Sequence, residues 1–152
     1  MKDINPTIFR EYDIRGVVDV DLTEEGVYAI GRAYAAFARK QGAERVSVGR
    51  DCRSHSTRLA KQLFRGLTEG GLDVVDLGTG TTPMQYFSIR SFELDGVIQI
   101  TGSHNPPEYN GLKLSLGKRS IHGPEVQELL RIIQDEDYGQ AESPGSIEGR
   151  DV

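Results

Sequence analysis

Apolar residues return at helical spacing early in the chain: Val27, Ile30, Tyr34, Phe37 and Ala38 share one stripe, which predicts an amphipathic helix that starts after Thr23 and ends at Gly42. Threonine suits a helix N-cap and glycine the position just past a C-terminus. The pattern then becomes extended. Residues 45–49 (Arg-Val-Ser-Val-Gly) read as a strand, Leu59, Leu63, Phe64 and Leu67 form a second helical stripe closed by Gly70-Gly71, and residues 73–77 read as a buried strand. A turn at 78–83 leads to a third helix over 82–92, with Thr82 as N-cap and Pro83 in the first helical position. Strands follow at 97–100 and 112–116. Pro124 opens a last helix, in which Val126, Leu129, Leu130 and Ile133 occupy i, i+3, i+4 and i+7. This alternation predicts an α/β fold, a three-layer domain whose mixed, mostly parallel four-stranded sheet lies between helices joined by right-handed crossovers. From Asp135 the periodicity dissolves into acidic, Ser, Pro and Gly residues, so 1–138 reads as the domain and 139–152 as a linker.

Length and composition leave this picture standing and narrow the partners. A chain of 152 residues is one domain's worth and can bury its own core. With 37% hydrophobic and 27% charged residues and no low-complexity tract, it reads as globular and not disordered. The formal charge of -5 and the dispersed basic residues disfavour a nucleic-acid partner. Apolar runs are too short for a membrane span and the first residues lack a secretory apolar core, so the expectation is a cytoplasmic protein. One cysteine, Cys52, rules out an internal disulfide and reads as a packed or partly exposed small residue.

The candidate chemistry sits between the last two predicted strands, in Thr101-Gly102-Ser103-His104-Asn105-Pro106-Pro107-Glu108-Tyr109-Asn110-Gly111-Leu112-Lys113. Asn-Pro-Pro can continue neither a helix nor a ladder, so the backbone around Ser103 is pushed out and stiffened at the carboxyl end of a strand, where open α/β sheets bind ligands. Ser103 offers a nucleophile or phosphate carrier, His104 a neighbouring donor or base, and Lys113 a cation or general acid/base. A plain surface turn has the same residue types. A serine hydrolase is disfavoured, because adjacent Ser103 and His104 point apart on an extended loop and no Gly-x-Ser-x-Gly elbow is present. Gly78-Thr79-Gly80-Thr81-Thr82-Pro83 mimics a dinucleotide fingerprint but carries proline where the third glycine belongs, so it reads as a strand-to-helix turn.

The Ser103 block resembles the phosphoserine loop of the alpha-D-phosphohexomutases, the phosphoglucomutase/phosphomannomutase family. Phe9-Arg10-Glu11-Tyr12-Asp13-Ile14-Arg15-Gly16 is similar to that family's opening signature, and Val48-Gly49-Arg50-Asp51-Cys52-Arg53-Ser54 to its Gly-Arg-Asp-x-Arg turn. The three blocks occur in the family's order, so the resemblance covers essentially the whole chain. It implies the first of four domains, with the remaining domains of the same polypeptide as partners and a phosphosugar as substrate. It further implies interconversion of hexose 1-phosphate and hexose 6-phosphate (mannose and/or glucose) through a bisphosphate, with hexose 1,6-bisphosphate as activator. In that scheme Ser103 carries the phosphoryl group, and one phosphate oxygen binds Mg²⁺ together with carboxylates of an Asp-Gly-Asp-x-Asp segment that this sequence lacks. Arg15 faces the transferring phosphoryl group, Lys113 is the general acid/base, His104 and Asn105 support the phosphoserine, and Tyr12 lines the sugar side. Arg50, Asp51 and Arg53 are expected to brace the loop from beneath as an ion-pair group, whereas His55 and His122 are expected to be solvated or capping. The isolated domain is expected to be inactive. The alternative is a stand-alone phosphate-binding or phosphoacceptor module without catalysis.

Overall fold

Thr23 starts the first long helix, α1 (Glu24–Lys40), by accepting the Gly26 amide on its hydroxyl at 2.9 Å. Glu24 and Glu25 in its first turn and Arg39 and Lys40 in its last complement the helix dipole. The computed structural model describes residues 3–80 and 82–149, so the side chain of Thr82, expected to cap the third helix, falls outside them. A 3-10 turn at Pro6–Ile8 and a short strand β1 (Ile14–Val17) precede α1. After it come β2 (Arg45–Arg50), α2 (Ser56–Glu69), β3 (Asp73–Thr79), α3 (Thr82–Ser91), β4 (Gly96–Ile100), β5 (Tyr109–Leu116), β6 (Arg119–Ser120), α4 (Pro124–Asp135) and β7 (Ile147–Gly149).

The described strands form one seven-stranded sheet in the order β1-β5-β4-β2-β3-β7, with β6 on the side of β5. β4, β2, β3 and β7 run parallel, while β5 is antiparallel to both β4 and β1. The four expected strands are its centre, and three others add to them. β1 lies in the opening signature, where Ile14 and Gly16 are buried and Arg15 and Val17 half-buried. β7 lies in the stretch expected as linker. Its entry is fixed by Asp73, which accepts from the Ser146 amide at 2.8 Å, and by the Ser146 carbonyl, which accepts from the Val74 amide at 2.7 Å.

Side chains alternate across the sheet. Val46, Val48, Val74, Ile98, Ile100, Leu112 and Leu114 point into the main core with the apolar stripes of α1, α2 and α4. Val75 and Leu77 point the other way, toward Leu94 and Phe92, on the face that α3 covers. The helices α1 and α2 approach through glycines: a Cβ on Gly66 would lie 2.3 Å from the Tyr28 carbonyl oxygen. α3 packs on β2 through a buried hydroxyl pair, Ser47 and Ser88, at 2.9 Å. It leaves β5 and β1 open on that face, and Arg15 and Lys113 stand there.

Candidate active site

β4 turns at its carboxyl end into the loop 102–108 and returns as β5, the Thr101 amide bonding the Gly111 carbonyl across the base at 3.0 Å. Inside the loop the Asn105 amide and its Nδ2 both donate to the Gly102 carbonyl, at 3.0 and 3.1 Å. Ser103 is held in the left-handed region at φ 52°. That conformation costs a non-glycine residue on the order of 1–3 kcal/mol and persists only where surroundings impose it. The Thr101 hydroxyl helps impose it by accepting the Ser103 amide at 3.0 Å. The Ser103 hydroxyl makes no hydrogen bond among the described residues, and the side chain is half-buried at the rim of a cavity of about 450 Å³ lined also by Asp51, Arg53, Thr101 and Asn105.

Two residues at the start of α2's approach hold this loop. The Arg53 guanidinium donates to four backbone carbonyls, those of Pro106 at 2.7 Å, Asn105 at 2.8 Å, Ser103 at 3.2 Å and Tyr109 at 3.2 Å. Its Nε faces Asp51 at 3.3 Å. Asp51 accepts from the Gly102 amide at 3.0 Å, the Ser56 hydroxyl at 2.6 Å and the Arg53 amide at 3.1 Å. Burial pushes its carboxyl upward, but bonds from Ser56, Gly102, Arg53 and the Thr101 hydroxyl outweigh burial and hold it below the usual aspartate range.

The loop's exit is tied to the same point. Buried Asn110 donates from Nδ2 to the Ser56 hydroxyl at 2.9 Å and to His55 Nδ1 at 2.8 Å, and its Oδ1 accepts the Gly111 amide at 2.9 Å. With Nδ1 of His55 accepting, its Nε2 carries the proton and donates to the Pro107 carbonyl at 3.0 Å. Asn110, Ser56 and Asp51 therefore form a relay of hydrogen bonds whose two ends are the two sides of the Ser103 loop.

Arg15 stands opposite Gly111 and Lys113 opposite Gln99. By alternation Arg15 and Lys113 share one face as diagonal cross-strand neighbours, roughly 7–8 Å apart. Arg15 pairs with Asp13 at 2.5 Å, and its Nε is buried without a partner among the described residues. The close approach of β1 requires Gly111, since a Cβ there would lie 2.2 Å from the Ile14 carbonyl oxygen. Tyr12, 73% exposed on the turn before β1, stacks against His122 with ring centroids 6.3 Å apart. A larger hollow of about 640 Å³, lined by Gly42, Leu94 and Gly117 among others, opens at the opposite end of the strands and meets none of these residues.

Residues 6–140 match the model of the phosphoglucomutase/phosphomannomutase alpha/beta/alpha domain I. The chain belongs to that family. It is 42% identical over all of its 152 residues to a phosphoglucomutase of Neisseria gonorrhoeae, of which it covers 33%, and 40% identical over 146 residues to a phosphomannomutase/phosphoglucomutase of Pseudomonas aeruginosa, covering 96% of this chain and 31% of that one. A solved phosphoglucomutase/phosphomannomutase family protein from Burkholderia thailandensis superposes with a TM-score of 0.92 at 39% identity, over 98% of this chain and 34% of the other. The chain thus spans about a third of the length of the relatives it matches.

The structure brings some of the expected site residues together and separates others. Ser103, His104 and Asn105 share one loop, with Lys113 and Arg15 on the adjoining face of β5 and β1. His104 is exposed and makes no hydrogen bond among the described residues, and the Asn105 amide is engaged by the Gly102 carbonyl. Of the expected brace, Asp51 and Arg53 lie under the loop, but Arg50 turns away to pair with Asp76 at 3.1 Å. His55, half-buried at the N-cap position of α2, makes no side-chain cap bond there and bridges Asn110 to Pro107. Cys52 is exposed. Sequence reasoning missed Asn110 and Ser56 as members of the site. A polar residue inside an otherwise apolar alternation, as Asn110 is at the head of β5, was the available signal. Among the described residues no three carboxylate, imidazole or thiol groups converge as a metal site, so the residues present do not by themselves fit Mg²⁺. No helix among them is long and apolar enough to cross a membrane.

Proposed function

We propose that this chain is the phosphoserine-bearing first domain of a longer phosphohexomutase, which interconverts hexose 1-phosphate and hexose 6-phosphate through a bisphosphate intermediate. The observation that carries the reading is the contrast inside the loop: its backbone is pinned by Arg53, Asp51 and Asn110, while the Ser103 hydroxyl at its tip stays unengaged at the cavity rim. A group meant only to shape a turn would spend its hydroxyl on the backbone, as Thr101 does.

In the proposed reaction a sugar hydroxyl attacks the phosphorus of phosphorylated Ser103. A new P–O bond forms as the bond to Ser103 Oγ breaks, and the serine recovers a proton as its hydroxyl. Lys113 exchanges the proton of the reacting sugar hydroxyl as general acid/base. Arg15, its side chain 20% exposed on the open face, offers donors to the phosphoryl oxygens, a task that suits a planar fork of N–H groups. Transfer back to Ser103 after the bisphosphate turns over completes the cycle. Preference among mannose and glucose phosphates belongs to the parts of the longer enzyme outside this chain, as do the carboxylates for Mg²⁺.

Peptide mapping of the longer enzyme tests the assignment. Phosphate is expected on Ser103, lost in Ser103→Ala together with turnover and restored to dephosphorylated wild type by glucose 1,6-bisphosphate. Active enzyme with phosphate only elsewhere would overturn it. Residues 1–152 alone are expected to fold but to give no glucose 6-phosphate from glucose 1-phosphate, Mg²⁺ and the bisphosphate, because the preorganised charge that phosphoryl transfer depends on is incomplete.

A further inference from the structure

Gln99 lies on the α3 face of β4 and is 3% exposed. Its Nε2 donates to the Gly80 carbonyl at 3.3 Å, but its Oε1 is buried with no partner among the described residues. A buried acceptor left bare is unfavourable, and native structures keep few of them. Gln99 and Lys113 are direct partners in the β4–β5 ladder, so their side chains leave the same face with Cβ atoms roughly 4.5–5.5 Å apart. Lys113 is half-buried, and its ammonium has neither hydrogen bond nor ion pair among the described residues. Its stem is long enough to turn three donors toward the amide oxygen next door.

We infer that Gln99 is the positioning residue for Lys113: Oε1 accepts from Nζ while Nε2 stays anchored on Gly80. The inference rests on the reading of Lys113 as the acid/base group. Its consequence is a continuous set of contacts between proton carrier and loop brace. Gly80 donates its amide to the Arg50 carbonyl at 2.9 Å, and Arg50 is followed directly by Asp51, the hub beneath Ser103. Lys113 and the Ser103 loop are thereby referred to the same end of β2, which would keep proton carrier and phosphate carrier in register.

Turnover by the longer enzyme and stability of the present chain test it together. Gln99→Met keeps volume and removes both amide ends. It should lower kcat about tenfold with KM within about twofold of wild type, and it should lower kcat no further in a Lys113→Met background, since the group it positions is gone. A residue that only fills space would instead reduce turnover by the same factor in both backgrounds. In urea unfolding of residues 1–152, Gln99→Met should be better tolerated when Lys113 is already Met, because it then removes an acceptor left bare. In the unaltered chain, NOEs between the Lys113 ε-protons and the Gln99 side-chain amide should be present. Wild-type kcat in Gln99→Met, multiplicative effects in the double variant, or absent NOEs would each overturn the inference, the last without any variant having to fold. If Lys113→Met alone kept its turnover, the acid/base reading would fall, and the urea cycle and NOEs would still report on the contact.

Discussion

Arg53→Met is the most direct challenge to the account of the loop, because the guanidinium touches three of its carbonyls and that of Tyr109 at its exit. Hydrogen bonds to a charged group contribute about 1.5–3 kcal/mol each. The two short ones, to Pro106 at 2.7 Å and Asn105 at 2.8 Å, would alone give about 3–6 kcal/mol at that rate. Water can replace part of this, since 17% of the side chain is exposed, so about 3 kcal/mol is expected, the low end of that range. If loop and sheet unfold together, that corresponds to a fall in Tm of roughly 6–12 °C for a domain of this size. The loop can also open alone. Hydrogen exchange at the Gly102, Asn105 and Tyr109 amides, all bonded within the braced unit, reads the local opening. A loss of about 3 kcal/mol means roughly 100-fold faster exchange there, against little change in the β2 amides. Arg53→Lys should fall between, because one ammonium has three donors on a single point and cannot span four carbonyls. Exchange at those three amides within threefold of wild type, with unchanged Tm, would refute the brace.

Three further outcomes follow from the same geometry. The Asp51 carboxyl is depressed in the folded state, so the stability it contributes is present above the unfolded value of about 3.9 and is lost as pH falls through the lower folded value; NMR of the Gly102 amide should follow that titration, and Asp51→Asn should abolish it. Gly111→Ala should cost about 3 kcal/mol in urea unfolding, the scale of a severe overpacking, because β1 must move away from a new Cβ 2.2 Å from Ile14 O; a cost under about 1 kcal/mol would mean the strands separate easily. Lys113→Ala in the longer enzyme should lower kcat by roughly 100-fold with a smaller change in KM, and near-wild-type turnover would leave the lysine a strand residue.

What could be read in the sequence is what carries its own periodicity. α1, α2 and α4 have strong apolar stripes, and the central strands β2, β3, β4 and β5 are short apolar or alternating segments bounded by turn residues, so their presence follows from local pattern. β1 and β7 have no such pattern. β1 holds Asp13's neighbour Ile14, a charged Arg15 and a glycine, and becomes a strand because β5 offers it a ladder and Gly111 lets it approach. β7 is exposed along its length and is bound through backbone pairing with β3 and the Arg45–Glu148 ion pair, partners about 70 and about 100 residues upstream in the chain. Strand β5 begins at Tyr109 and not at 112 for the same reason, since its first residues pair with β1. In the site, motif spacing marked the Ser103 loop and its brace. It did not reveal that Arg50 turns to Asp76 or that His55 reaches Asn110, because rotamer choice at the end of a strand is decided by neighbours that only the fold supplies.

The charge around Ser103 explains why a well-built loop need not be a complete site. Arg53 is the nearest cation by contact, yet its donors are directed at carbonyls and at Asp51, so its charge is committed to the loop's own backbone. Arg15 is partly offset by Asp13. Lys113 remains as the cation on the open face without an ion-pair partner among the described residues. A phosphoryl group on Ser103 would bring about -1.5 to -2 charges at neutral pH beside a carboxylate that the hydrogen bonds above keep ionised. The domain therefore supplies position with great redundancy and neutralisation with little. Phosphoryl transfer needs both; under the proposed function, the countercharge that these residues do not supply would come from the rest of the longer enzyme or from a metal, and the chain spans about a third of the relatives it matches.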